Sequence, residues 1–229
     1  MRAFNIQPLD TKAMETCRYR IDNLTKPIYS LAMLETIAER FAGVLANPKP
    51  NHLKYGVLIV GADHLVDGPQ NVEHGHTSLN AIKRFNEGMS ATQGAAFKLQ
   101  APVYVVNIGL EQDTNHLANI DSRVIRNGSH FFGVEPSISH DELEQALEMG
   151  FGYADKLHEA SLQVVALGNI GERTFLDALV TTATITGASY ETLLTESDNG
   201  PTITQRAAHI HSFVDPFDIA VDDWSVLSE

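Results

Sequence analysis

The chain has 229 residues, 43% of them hydrophobic, with 16 basic residues against 29 acidic ones and a formal net charge of -13. That balance argues against nucleic acid or an anionic membrane as the main partner, and no apolar stretch approaches the ~20 residues of a membrane span. The opening MRAFNIQPLD lacks the apolar core of a signal peptide, and a single cysteine, Cys17, excludes an intrachain disulfide framework, so the expected setting is the cytoplasm.

Helical spacing comes first along the chain. In LDTKAMETCRYRIDNLT (residues 9–25), Met14, Cys17, Ile21 and Leu24 recur at three and four, and Asp10 or Thr11 can cap the start. Pro27 interrupts the pattern. A second amphipathic helix follows, with Leu31, Leu34, Ile37, Ala38 and Phe41 on one face, and NPKPN (47–51) is a proline-rich turn. The two helices predict a small N-terminal lobe over residues 1–50, with Cys17 in its core, ahead of a second domain over 51–229.

Three short β-branched runs then appear: YGVLIVGADH (55–64), PVYVVNIG (102–109) and LQVVALG (162–168). Continuous apolar strands of this kind suit a parallel sheet covered on both faces. Helical stretches lie between them: TSLNAIKRFNEG and ATQGAAFKL, then SHDELEQALEMGFGYADKLHEA, where Ser139 and Glu142 form a capping box. TFLDALVTTATITG follows the third run and ends on Gly187. The alternation predicts an α/β fold, a three-layer parallel sheet flanked by helices. Three strands are few where ~5–6 are usual, so further strands or a completing partner are expected. The last stretch, 214–229, is acidic and holds the only tryptophan, Trp224.

In open α/β sheets ligands sit beyond the carboxyl ends of the strands. After the first run, Asp63, His64, His74 and His76 cluster in a glycine-rich loop. Asp and His can bind a divalent ion, but the spacing fits no standard zinc pattern, so a substrate loop, a structural loop and a metal-dependent hydrolase site are the readings to separate. After the second, Glu111 and Asp113 read as solvated charges. After the third comes GNIGERT (168–174). Backbone N–H groups at a helix N-terminus bind anions. Gly171 allows close approach, Arg173 can pair with a phosphate, and Thr174 can cap the helix or donate its hydroxyl. Glu172 suits the helix dipole when no anion is bound and is expected to face solvent. An anion site and a structural cap are equally compatible with these residues, which match neither the P-loop nor the dinucleotide fingerprint. No Gly-x-Ser-x-Gly elbow occurs, and His209 and His211, two apart, do not share a helix face.

Four stretches together resemble the nicotinate-nucleotide–dimethylbenzimidazole phosphoribosyltransferase family. RIDNLTKPIYSLAMLETIAERFAG is similar to the family opening, with its Leu-Thr-Lys-Pro turn. VLIVGADHLV resembles the strand that ends in Gly-Asp-His-Gly. RNGSHFFGVEPSISHDELEQALEMGF is similar to the Gly-Thr…Pro-Ala-Met-Ser segment. LGNIGERTFLDALVTTATITG stands where the family has Gly-Glu-Met-Gly-Ile-Gly-Asn-Thr-Thr. The order and spacing agree over almost the whole chain. The resemblance implies an α/β fold with a helical lobe, and transfer of phosphoribose from nicotinate mononucleotide to a benzimidazole-type base in cobalamin biosynthesis. The implied partners are a small-molecule nucleotide and an aromatic base, without metal or redox cofactor, in a homodimer. It also implies phosphate and ribose contacts at Gly168, Asn169, Gly171, Arg173 and Thr174, and base or substrate loops carrying Ser30, Asp63, His64, His74 and Thr77. Three departures stand out. Asn169 replaces a family glutamate, Gly171 to Thr174 shorten the phosphate loop, and Pro27-Ile28-Tyr29-Ser30-Leu31-Ala32 replaces Pro-Pro-Gly-Ser-Leu-Gly. The family's base glutamate falls beyond Glu229, leaving the catalytic residue unassigned; the alternative is a non-catalytic nucleotide- or base-binding relative, or one subunit of a two-chain enzyme.

Overall fold

The computed structural model describes residues 7–65, 77–131, 135–189 and 191–193. The chain divides into two compact units, Met1–Leu53 and Lys54–Glu229.

The first unit is a pair of helices, α1 (Thr11–Asp22) and α2 (Met33–Val44). Asp10 caps α1 by accepting the Ala13 N–H at 2.9 Å. The core is small: Cys17, Ile21 and Ala42 are buried, with Ala38 against them. Small residues bring the helices close, and a Cβ on Gly43 would lie 2.7 Å from the Met14 Cγ and Sδ. The expected apolar face of the second helix is corrected. Leu31, Leu34 and Ile37 are exposed, and the buried positions are Glu35, Ala42 and Gly43. Leu24 is exposed too, because α1 ends before it. Glu35 explains the rotation of α2. Its carboxylate accepts Lys26 Nζ at 2.8 Å and the Leu31 N–H at 2.9 Å, folding the turn before α2 onto the helix. In that turn Tyr29 and Ala32 have φ of 59° and 46°.

The second unit is a parallel sheet of four strands in the order β3-β2-β1-β4. The strands are β1 (Tyr55–Ala62), β2 (Val103–Gly109), β3 (Asp121–Ser122) and β4 (Val164–Ile170). Its helices are α3 (Thr77–Asn86), α4 (Ala91–Lys98), α5 (His140–Glu159) and α6 (Thr174–Thr186). Alternation along the central strands sends side chains to two cores. On one face Ile59 and Val105 pack with Ile82 and Phe85 of α3. On the other, Leu58 and Val106 pack with Tyr153 and Leu157 of α5. The sheet is therefore the middle of three layers, as the apolar runs implied.

Two boundaries differ from expectation. The third predicted run continues to Ile170, so Gly168 and Asn169 are strand residues paired with Ile59 and Val60. The extra strand, β3, is two residues long and pairs with Val106 and Asn107. The Ser139–Glu142 capping box opens α5 as read from the sequence, and Gly187 ends α6 at φ 67°.

Candidate active site

The loops after β1, β2 and β4 meet at one carboxylate. A register shift between Gly61 and Ala62 turns the end of β1, as bulges beside functional sites do. Asp63 follows and is 3% exposed. Its Oδ1 accepts the Glu172 N–H at 2.7 Å, and its Oδ2 accepts the Glu111 N–H at 2.9 Å and the Ser78 hydroxyl at 3.1 Å. The Asp63 main chain donates to Gly109 O and accepts from Ser129 N–H. One buried side chain thus ties together three strand-end loops and the start of α3. Its oxygens face N–H and O–H donors, which is a structural arrangement and not that of a metal ligand. Among the described residues no group of three His, Cys, Asp or Glu side chains is placed to hold a metal ion. His74, His76, His209, His211 and Trp224 lie outside the described residues.

The β4–α6 loop is narrower than the sequence suggested. Gly171 sits against the end of β1, where a Cβ would run into the Ala62 carbonyl oxygen. It is a packing requirement between strand ends, and the left-handed position falls instead on Arg173, at φ 60° and ψ 14°. Arg173 is the N-cap of α6 and makes no side-chain cap bond. Unlike Ser or Asp, it has no side-chain acceptor to offer the first N–H groups of the helix. Thr174 opens the helix and does not cap it. Glu172, expected to face solvent, is half-buried, with its carboxylate in a solvent-exposed hydrogen bond. Its carboxylate accepts the Thr77 N–H at the start of α3 at 3.1 Å, and its carbonyl accepts the His64 N–H at 3.0 Å. The N-terminus of a helix is a favourable place for this charge.

Beside these loops lies a cavity of about 220 Å³, lined by Asp63, His64, Ile108, Ile125, Arg126 and Glu142 among others. Its walls are mostly apolar, with a few polar groups at the strand ends, as in small-molecule sites. His64 Nδ1 faces Asp177 Oδ1 of α6 at 3.9 Å. Glu142 accepts the Ser139 N–H at 2.7 Å and stands 3.8 Å from Arg126 Nη1 and 3.5 Å from His130 Nε2. The Ser139 N–H, and then the nearby cations, hold its carboxyl below the usual range. Of the expected site residues, Asp63 and His64 line this cavity. Thr77 joins them through Glu172, and Gly171, Arg173 and Thr174 form the adjoining loop. Gly168 packs within the sheet, where a Cβ would lie 2.7 Å from Ile59 Cδ1. Ser30 is in the first unit, exposed, donating its N–H to Pro27 O. Sequence reading did not single out Arg126 or Ser129; the only signal was their place in the family-like segment RNGSHFFGVEPSIS. A larger cavity, about 530 Å³, opens between β3 and α5, where the Tyr153 hydroxyl donates to Asp121 at 2.6 Å.

A family model described as phosphoribosyltransferase matches residues 6–211. A nicotinate-nucleotide–dimethylbenzimidazole phosphoribosyltransferase of Chloroflexus aggregans is 32% identical over 185 residues, 80% of this chain and 52% of the relative. The enzyme of that name from Chromobacterium violaceum is 33% identical over 189 residues, 81% of this chain and 54% of the relative. The chain spans about half the length of the curated relatives it matches. A crystal structure of the Thermus thermophilus protein of that name superposes with a TM-score of 0.78 at 22% identity, covering 96% of this chain and 67% of that one.

Proposed function

The chain belongs to the nicotinate-nucleotide–dimethylbenzimidazole phosphoribosyltransferase family, and from that premise we propose that it moves phosphoribose from nicotinate mononucleotide to a benzimidazole-type base in cobalamin biosynthesis. The observation that supports this most is an apolar cavity at the strand ends whose lining residues Asp63 and His64 are hydrogen-bonded to the main chain of Glu172 in the β4–α6 loop. An aromatic base suits the cavity walls. The phosphate of the nucleotide suits the uncapped start of α6, with Arg173 as its side-chain partner. Gly168 and Asn169 contribute to the ribose side through the end of β4. Asp63, His64 and Thr77 belong to the base side, as does His74. In this reading the protein works in the cytoplasm as a homodimer, with residues 1–50 as a helical lobe and residues 51–229 as the catalytic domain. Neither a metal nor a redox cofactor takes part in this reading.

Incubation of the purified protein with nicotinate mononucleotide and dimethylbenzimidazole tests the proposal. Release of nicotinate with formation of the benzimidazole nucleotide is the expected result. Absence of both, with a full-length relative active in the same buffer, would remove it.

A further inference from the structure

The larger cavity, about 530 Å³, shares no lining residue with the cavity at the strand ends. Its size suits a small molecule. One wall is a face of α5, where Met149, Gly152, Tyr153 and Lys156 follow one another at the three- and four-residue spacing of neighbours on a helix. Tyr153 is buried, and its hydroxyl donates to Asp121 Oδ2 at 2.6 Å. Gly152 is exposed, and a Cβ added there would meet nothing within 4 Å. Glycine costs stability inside a helix, and no packing contact calls for it here. What it leaves is a strip of bare helix backbone beside the cavity.

The facing wall is β3 and the residue after it. Asp121 accepts Arg123 Nε at 2.9 Å as well as the Tyr153 hydroxyl, so both its oxygens are engaged. That bond leaves the two terminal nitrogens of the guanidinium as further donors. Lys156 Nζ is held 5.2 Å from the Tyr104 ring centre and 5.3 Å from that of Tyr153. After the Tyr153 hydroxyl and Arg123, the Lys156 ammonium also helps hold the Asp121 carboxyl below its usual range. Two cations therefore share one satisfied carboxylate, a local excess of positive charge in a chain of net charge -13. Glu148 is the remaining charge on the lining. It stands two helical turns before Lys156, about 12 Å along α5.

We propose that this cavity binds a small aromatic monoanion, its carboxylate at Arg123 and Lys156 and its ring on the bare backbone at Gly152 beside Met149. Each part follows from the chemistry of the walls. Arginine and lysine take a carboxylate through charge-assisted hydrogen bonds. A flat ring can lie against helix backbone where no side chain intervenes, and a methionine thioether makes favourable contacts with ring edges. Glu148 repels a second negative charge at the far end of the ligand. The site lies outside the transfer reading and does not depend on it.

Benzoate is the probe, with acetate as the control for charge alone and benzamide for the ring alone. Binding is read from the methyl resonance of Met149 in protein carrying carbon-13 methyl methionine, assigned by its loss in Met149→Leu. Benzoate is expected to shift that resonance saturably, with a Kd of about 1 mM for so few atoms. Acetate and benzamide at the same concentration leave it unmoved. Arg123→Gln and Lys156→Gln each weaken benzoate about two- to fivefold, and added salt weakens it in the wild type. Gly152→Leu fills the cavity and removes the shift. Leucine is the better helix former, so the urea midpoint of that variant does not fall, which separates lost binding from a lost fold. A Met149 resonance that benzoate leaves unmoved overturns the proposal. So does wild-type benzoate affinity in the Arg123→Gln, Lys156→Gln double variant or in Gly152→Leu.

Discussion

Asp63 shows how one buried side chain can organise a site. A buried carboxylate needs cations or donors to offset lost hydration. Here three donors from three segments converge on it: the loop after β2, the first turn of α3 and the β4–α6 loop. The Asp63→Ala substitution would leave the Glu111 and Glu172 N–H groups and the Ser78 hydroxyl facing an apolar hole. At ~1–3 kcal/mol for each unsatisfied buried group, a loss of about 3–5 kcal/mol is expected after partial relaxation, read as a fall in the urea midpoint. A loss below about 1 kcal/mol would mean that water replaces the carboxylate and that the loops do not depend on it. Gly171 is the companion case. The sequence marked it as a glycine that lets an anion approach, whereas the atom approaching it is the Ala62 carbonyl oxygen. The residue type was legible; its partner, on a distant strand end, was not.

At the scale of elements, long apolar runs were legible because burial on both faces leaves a continuous pattern, as in VLIV of β1. The two-residue β3 has no such pattern and exists only because β2 offers a free edge at Val106 and Asn107. The face of α2 was misread for a different reason. Leucines at helical spacing point away from α1, and a buried glutamate takes their place through its bonds to Lys26 and Leu31. The turn before α2 keeps the backbone of a glycine-containing turn without the glycines. Tyr29 and Ala32 stand where the family resemblance places glycine, and both have positive φ. Ala32 is also the N-cap, at φ 46° and ψ -121°, with no capping side chain. Strain of that kind costs ~1–3 kcal/mol, against ~0.4–1 kcal/mol for the extra freedom of glycine when unfolded. Glycine is also a better N-cap than alanine. The Ala32→Gly substitution is therefore expected to stabilise the helical pair by about 1 kcal/mol, measured by helical circular dichroism in urea. A destabilised variant would show that the turn relaxes in solution.

Across the whole molecule, no helix among the described residues is long and apolar enough to cross a membrane, and charge is the dominant global property. At pH 7 the formal net charge is -13, and the sequence pI is about 5.1. Lowering the pH from 8 toward 5 removes self-repulsion and is expected to raise stability. Below that, specific carboxylates oppose the trend. Glu35 in the first unit is held below the usual range by the Lys26 ammonium and then the Leu31 N–H. In the second unit Asp121 is lowered first by the Tyr153 hydroxyl, and Glu142 first by the Ser139 N–H. For each, the folded value lies below the unfolded one. Their stabilisation is therefore complete above about pH 4–5 and is lost as the pH falls through the lower folded values. Tyr153 runs the other way. Burial, and then its bond to Asp121, push the phenol above its ordinary value, so its contribution persists at neutral pH and fades only as the pH rises beyond ~10. Urea midpoints against pH should therefore pass through a maximum near pH 5, with an acid limb that Glu35→Gln makes shallower and an alkaline limb that Tyr153→Phe makes shallower. A midpoint that keeps rising below pH 4 would show that global repulsion outweighs these three paired carboxylates.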